Sequence, residues 1–142
     1  MDPAALIPTP DTLPVHWAWF QVLLFCTFYL HIVLMNVMFG TAFIATVNHL
    51  RRATTPGGCT EAISHSLPFV IAFTVNFGVP PLLFAQVLYG HFLYTSSILM
   101  AVFWLSIAFL LVVAYSLAYV YKGWYAQAGR LRLPLTLTIT LL

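Results

Sequence analysis

Three long apolar stretches, separated by short segments where polar residues, glycine or proline collect, set the pattern of this chain. The first runs from Val15 to Leu50 and stops at Arg51-Arg52. A bilayer core needs roughly 20 apolar residues of helix, so residues 15–50 are long enough to cross it with room for tilt. Residues 51–61 gather Pro56, Gly57 and Gly58 and read as a loop. The second run spans 62–88 and contains Gly78 and Pro80-Pro81. Proline has no amide donor and its ring crowds the preceding turn, so a kink is expected at Pro80-Pro81. The short aromatic segment 89–95 (YGHFLYT) reads as a second loop, and the third run occupies 96–121 ahead of Lys122-Gly123. Residues 122–142 are first polar and basic, then apolar; Leu133 to Leu142 (LPLTLTITLL) is too short to cross and reads as the start of a fourth helix. The pattern predicts an all-α fold, a polytopic transmembrane helical bundle of three spans plus that partial fourth.

Composition removes the soluble alternatives. Of 142 residues, 62% are hydrophobic and only 6% charged, with a mean hydropathy of +0.97. A soluble domain carries about a quarter charged residues to cover its wet surface, so the solvent of this chain is membrane lipid. A formal net charge of +2, spread over five scattered basic residues, gives no nucleic-acid footprint. Residues 1–14 contain Asp2 and Asp11 but no Lys or Arg, so the basic region of a cleaved signal is missing and the first helix is expected to stay. Cys26 and Cys59 define no disulfide, and there is no C-x-x-C-H for covalent heme attachment.

With three spans, Arg51, Arg52, Lys122, Arg130 and Arg132 fall on one side and Asp2 and Asp11 on the other. The positive-inside rule then predicts an outer N-terminal tail (1–14), a cytoplasmic loop (51–61), an outer loop (89–95) and a cytoplasmic segment from 122 onward. Trp17, Trp19, Tyr89 and Tyr94 near one set of ends, and Tyr119, Tyr121, Trp124 and Tyr125 near the other, fit interfacial aromatic belts.

Polar side chains at bilayer depth are costly and mark sites that face protein, cofactor or water. Of the five histidines, His16, His49, His65 and His91 fall near the ends of the spans, whereas His31 lies midway along the first. At 100° per residue Leu24, Thr27, Phe28, His31, Met35, Met38, Ala42 and Ala45 form one stripe, and Asn36 and Gly40 point nearly opposite. Two readings of the His31 stripe stay open. It suits a flat apolar ligand with the imidazole as axial donor and methionines packing a macrocycle. It equally suits helix packing in which His31 is hydrogen-bonded to a polar group. The Asn36/Gly40 face suits close approach of a neighbouring helix.

In the second run His65, Phe69, Ala72 and Asn76 share a face; Asn76 is a candidate for satisfying carbonyls freed by the prolines, and Gln86 for contacting a propionate or quinone head group. The third run offers serines alone, so packing is its simplest reading. No Asp, Glu, Lys or Arg lies at depth in any span, which removes the titratable relay that a proton pump, ion channel or charged-solute transporter would need.

The first two runs resemble the N-terminal part of the large subunit of cytochrome bd-type quinol oxidases. Tyr29 and His31, followed by Arg51-Arg52, stand like that family's heme-bearing first helix, and Asn76-Phe77-Gly78-Val79, Gln86 and Gly90 stand like its second. The resemblance covers about residues 16–121. It implies heme b with His31 as the iron ligand, Met35 and Met38 against the macrocycle, and Asn76, Gln86 and His91 as further cofactor contacts. It also implies quinol or quinone, other membrane subunits of a respiratory complex, and the bacterial cytoplasmic (inner) membrane. Acidic residues that the family carries near its hemes are missing here, where Phe84, Tyr89 and Trp104 stand instead, so oxygen reduction is not implied. The competing expectation is a cofactor-free structural or assembly subunit whose aromatic faces bind partner helices and lipid.

Overall fold

The computed structural model describes residues 12–52, 58–125 and 131–141; most of the expected outer tail, residues 53–57 of the first loop, and Arg130 lie outside the described residues. Helix α1 is Trp17–Leu50, α2 is Cys59–Leu99, α3 is Ala101–Gly123 and α4 is Arg132–Leu141. The first three are long and apolar enough to cross a membrane, and the protein is an all-α transmembrane bundle.

Local chemistry explains the helix ends. His16 caps α1, its Nδ1 accepting from the Ala18 amide at 3.3 Å. At the far end the Arg52 amide donates to the His49 carbonyl at 3.2 Å, with Arg52 at φ 55°, the left-handed region more usually given to glycine. Gly58 precedes α2, and Glu61 sits in its first turn, where a carboxylate suits the helix dipole.

Helix α2 departs from the expected boundaries. It runs for 41 residues, about 60 Å at 1.5 Å per residue, or twice the hydrocarbon thickness. Residues 89–95, expected as an outer loop, are helical apart from Tyr89, and the turn into α3 comes at Met100. The interruption is at Tyr89 (φ −129°, ψ 27°), ahead of Gly90, while Pro80 and Pro81 keep helical dihedrals. Proline's locked φ is that of a helix, and lipid-embedded helices tolerate the donor it removes. Glycine at 90, with its poor helix propensity, offers the weaker point.

Among the described residues α1 packs against α2 and α4, and α3 packs against α2 and α4, so α1 and α3 stand diagonally across the bundle. Ring contacts fix which ends meet: Phe20 lies by Phe84 at one end, and His49 by Tyr121 at the other. Arg51, Arg52, Lys122 and Arg132 therefore share the second end, here termed the basic end. The core is confined to that half, around Ala42, Leu67, Ile71, Ala118, Tyr121 and Ile139. The reason is α4, whose ten residues reach only ~15 Å into the bundle and close it just that far. Beyond α4 the diagonal pair separates, and residues 101–110 of α3 are all exposed.

Candidate functional site

His31 is the polar side chain that α1 carries inward at depth. Its stripe faces α2 as the helical period requires, with Leu24, Thr27, Met38, Ala42 and Ala45 half-buried or buried, but Phe28 and Met35 fall past the edge of the contact and stay exposed. The imidazole rests on Gly78 of α2. A Cβ built at residue 78 would lie 2.9 Å from His31 Cε1 and 3.2 Å from Nδ1, so glycine is what admits the ring.

From that seat His31 Nδ1 reaches the Thr74 carbonyl oxygen at 3.0 Å. A carbonyl accepts and cannot donate, so Nδ1 carries the hydrogen. In the neutral ring Nε2 then keeps its lone pair, available to a proton donor or a metal. A backbone carbonyl on the far nitrogen is the usual way in which a ligating histidine is oriented and made more basic.

The other sequence-selected residues do not converge on His31. Met35 and Met38 border a cleft on another flank of α1. Asn76 is exposed and its amide donates to the Ala72 carbonyl at 2.8 Å in its own helix, so it does not meet the carbonyls of Asn76 and Phe77 that Pro80 and Pro81 leave without a donor. Gln86 bonds to the Tyr94 hydroxyl, and His91 lies against Phe92 with ring centroids 4.1 Å apart and the planes tilted by 44°. Both belong to the end opposite the basic one, where Tyr89 donates to Gln21 at 3.0 Å. Gln21 precedes His31 by ten positions, ~15 Å along α1, beyond the reach of either side chain to the His31 ring.

The cleft holds about 580 Å³ and lies between the diagonal helices. Ile32, Met35, Asn36 and Phe39 of α1 form one wall and Ile107, Leu110, Leu111 and Ala114 of α3 the other, with Ile139, Thr140 and Leu141 at the end of α4 as its floor. Asn36 thus belongs to the same space as the methionines. Gly40, expected to receive a neighbouring helix, has no side chain or other helix among the described residues within 4 Å of where its Cβ would be.

A polar knot at the basic end escaped the sequence reading. His49 Nε2 is 2.8 Å from the Tyr121 hydroxyl, and the two rings meet edge to face. Tyr121 packs at right angles on Tyr125, and the Arg132 guanidinium lies 4.6 Å over the Tyr125 ring. Burial pushes the Tyr125 phenol above its ordinary value and Glu61 adds to the rise, against the pull of Arg132. Close by, the Asn48 amide donates to the Thr60 hydroxyl at 2.9 Å, and the hydroxyls of Thr46 and Thr140 pair at 3.0 Å. The signal that points to the knot is the i, i+4 spacing of Tyr121 and Tyr125 just before a basic helix start.

Neither family models, nor curated proteins, nor solved structures match the chain. The resemblance to the cytochrome bd-type large subunit therefore stands on the residues quoted for it alone.

Proposed function

We propose that the chain is a heme b-binding membrane subunit of a quinol-linked electron-transfer complex in a bacterial cytoplasmic membrane. The observation that carries this is the His31 imidazole, seated on Gly78 with Nδ1–H committed to the Thr74 carbonyl, which leaves Nε2 as a lone-pair donor. His31 fits a heme as one axial donor. Bound there, a heme would supply one-electron transfer, while the chain's own part is to fix the imidazole's tautomer and direction and to keep water away. Asn76, Gln86 and His91 lend no support as contacts of the same group.

A cofactor-free structural subunit is the second reading, favoured by the Thr74 carbonyl itself, since it already gives His31 a partner. One substitution separates the two. In His31→Asn the side-chain amide can occupy the place of Nδ1 and keep the Thr74 bond, but it has nothing in place of Nε2. Pyridine hemochrome analysis of the assembled complex is expected to show one b-type heme fewer in His31→Asn, with the chain still inserted and His65→Ala, on an exposed position, unchanged. Equal heme content in His31→Asn and the parent protein would overturn the ligand assignment.

Orientation is part of the same proposal. With the basic end in the cytoplasm, Cys59, exposed at the start of α2, is expected to resist a membrane-impermeant thiol reagent on intact cells and to react in inverted vesicles. Labelling from outside would reverse the topology.

A further inference from the structure

We infer that the groove between α2 and α3 at the basic end seats an anionic phospholipid, with its phosphate on Lys122. The site is the same whichever leaflet the basic end faces, and it rests on neither heme nor quinol.

The order of chemistry along the groove selects the class of ligand. At its mouth the Lys122 ammonium lies 4.6 Å from the centroid of the Phe69 ring, an aromatic face that attracts the cation but leaves its three N–H donors to bond an anion. Tyr119 and Tyr115 follow on the same side of α3, deeper by ~4.5 and ~10 Å. Their hydroxyls are 3.3 Å apart, so one hydrogen serves the pair and the other remains for a further acceptor. On α2, Phe69, Phe73 and Phe77 recur at helical spacing and carry an aromatic lane ~12 Å away from the basic end. Phe69 and Phe73 are each more than half exposed, and the Phe73 and Phe77 rings stack at 6.5 Å.

A phospholipid presents phosphate, ester carbonyls and acyl chains in that same order. The phosphate takes the ammonium, an ester carbonyl accepts from the tyrosine pair, and an acyl chain lies on the phenylalanine lane. A free phosphate would meet Lys122 alone, and a wholly apolar molecule would cover the ammonium without giving it a partner, which is unfavourable. Charge then selects the anionic kind of lipid. Among the described residues Arg51, Arg52, Lys122 and Arg132 gather at this end against one carboxylate, Glu61. A headgroup with its own ammonium would bring another cation to them, whereas a glycerol headgroup keeps the negative charge of its phosphate. Trp124, exposed just beyond Lys122, marks the level of the headgroups.

The test titrates the full chain in detergent micelles with phosphatidylglycerol or phosphatidylcholine and reads bound lipid by native mass spectrometry. Phosphatidylglycerol is expected to bind at least about fivefold more tightly, and Lys122→Gln to remove most of that preference, since one lysine at an anionic lipid surface is worth a factor of about five. Lys122→Arg is expected to keep it. The double variant Tyr115→Phe with Tyr119→Phe retains both rings and should weaken the two lipids alike, because both carry ester carbonyls. Arg52→Gln, at the end of the diagonal helix α1, is expected to change binding by less than about twofold, as charges separated by a Debye length are largely screened. In native membranes, phosphatidylglycerol with a photoreactive acyl chain should label peptides of α2 around residues 69–77 and of α3 around 115–122. Equal binding of the two lipids, equal losses in Lys122→Gln and Arg52→Gln, displacement by millimolar inorganic phosphate, or labelling confined to other peptides would overturn the inference.

Discussion

Replacing Gly78 with valine is expected to cost the protein about 3 kcal/mol, the upper part of the usual range for forcing extra atoms into a packed site. The first atom of the new side chain would lie 2.9 Å from His31 Cε1, and the three nearest heavy atoms around it all belong to that imidazole. The strain therefore falls on one contact. Moving the ring away also breaks the Nδ1–H bond to the Thr74 carbonyl, worth ~0.6 kcal/mol on average for an interhelical bond in a membrane. Helix propensity works slightly the other way, because valine is a better helix former than glycine. A double-mutant cycle isolates the contact: in a His31→Ala background the valine enters the space the ring has left. The sum of the single effects should exceed the double by 1–3 kcal/mol, the range of about 0.5–3 kcal/mol seen for residues in contact. Reversible unfolding in mixed micelles measures all four proteins, and additivity within about 0.5 kcal/mol would show that Gly78 and His31 do not share a seat.

That seat shows what the sequence can and cannot disclose. The depth of His31 was legible because depth is a matter of counting residues from the nearest charges. Its partner was not, since Thr74 is 43 positions away and a carbonyl carries no side-chain signature. The helical period grouped His31 with Met35, yet four residues advance by 400°, so Met35 stands 40° round from His31. That offset carries it past the edge of the α2 contact into the cleft. The three spans were legible from length and apolar content alone. The helical course of residues 89–99 was not, because polar and aromatic residues beside a glycine read as a loop, while no proline after Pro81 stops α2 before the turn at Met100. The apolar tail reads as the start of a helix, and Arg132–Leu141 is helical. What no pattern announced is that this helix inserts between α1 and α3, which creates both the core of one half and the cleft above it.

The same insertion makes Tyr121 the side chain on which the basic end depends, and Tyr121→Ala is expected to destabilise the protein by about 3–5 kcal/mol, as removal of a large buried aromatic does. Tyr121 has 0% of its surface exposed, the largest side chain so enclosed among the described residues. The sequence marks it as an interfacial belt residue, like its neighbours Tyr119 and Trp124, which are indeed exposed. Burial follows from the helical period: Ala118 and Tyr121 share the face of the α3 end that meets the core, and Tyr125 packs there just beyond the helix. Because α1 and α3 are diagonal, the Tyr121 hydroxyl on His49 Nε2 is a direct tie between two helices that otherwise meet through α2 and α4. Two contributions can be separated. Tyr121→Phe keeps the edge-to-face contacts with His49 and Tyr125 and loses only the 2.8 Å hydrogen bond, for about 1 kcal/mol. Tyr121→Ala loses the ring as well and opens a cavity beneath α4, so the start of α4 should become accessible to protease in micelles. A difference between the Ala and Phe variants of under about 1 kcal/mol would mean that the knot relaxes around the missing ring, and that α4 is held by the Thr46–Thr140 pair and its apolar face instead.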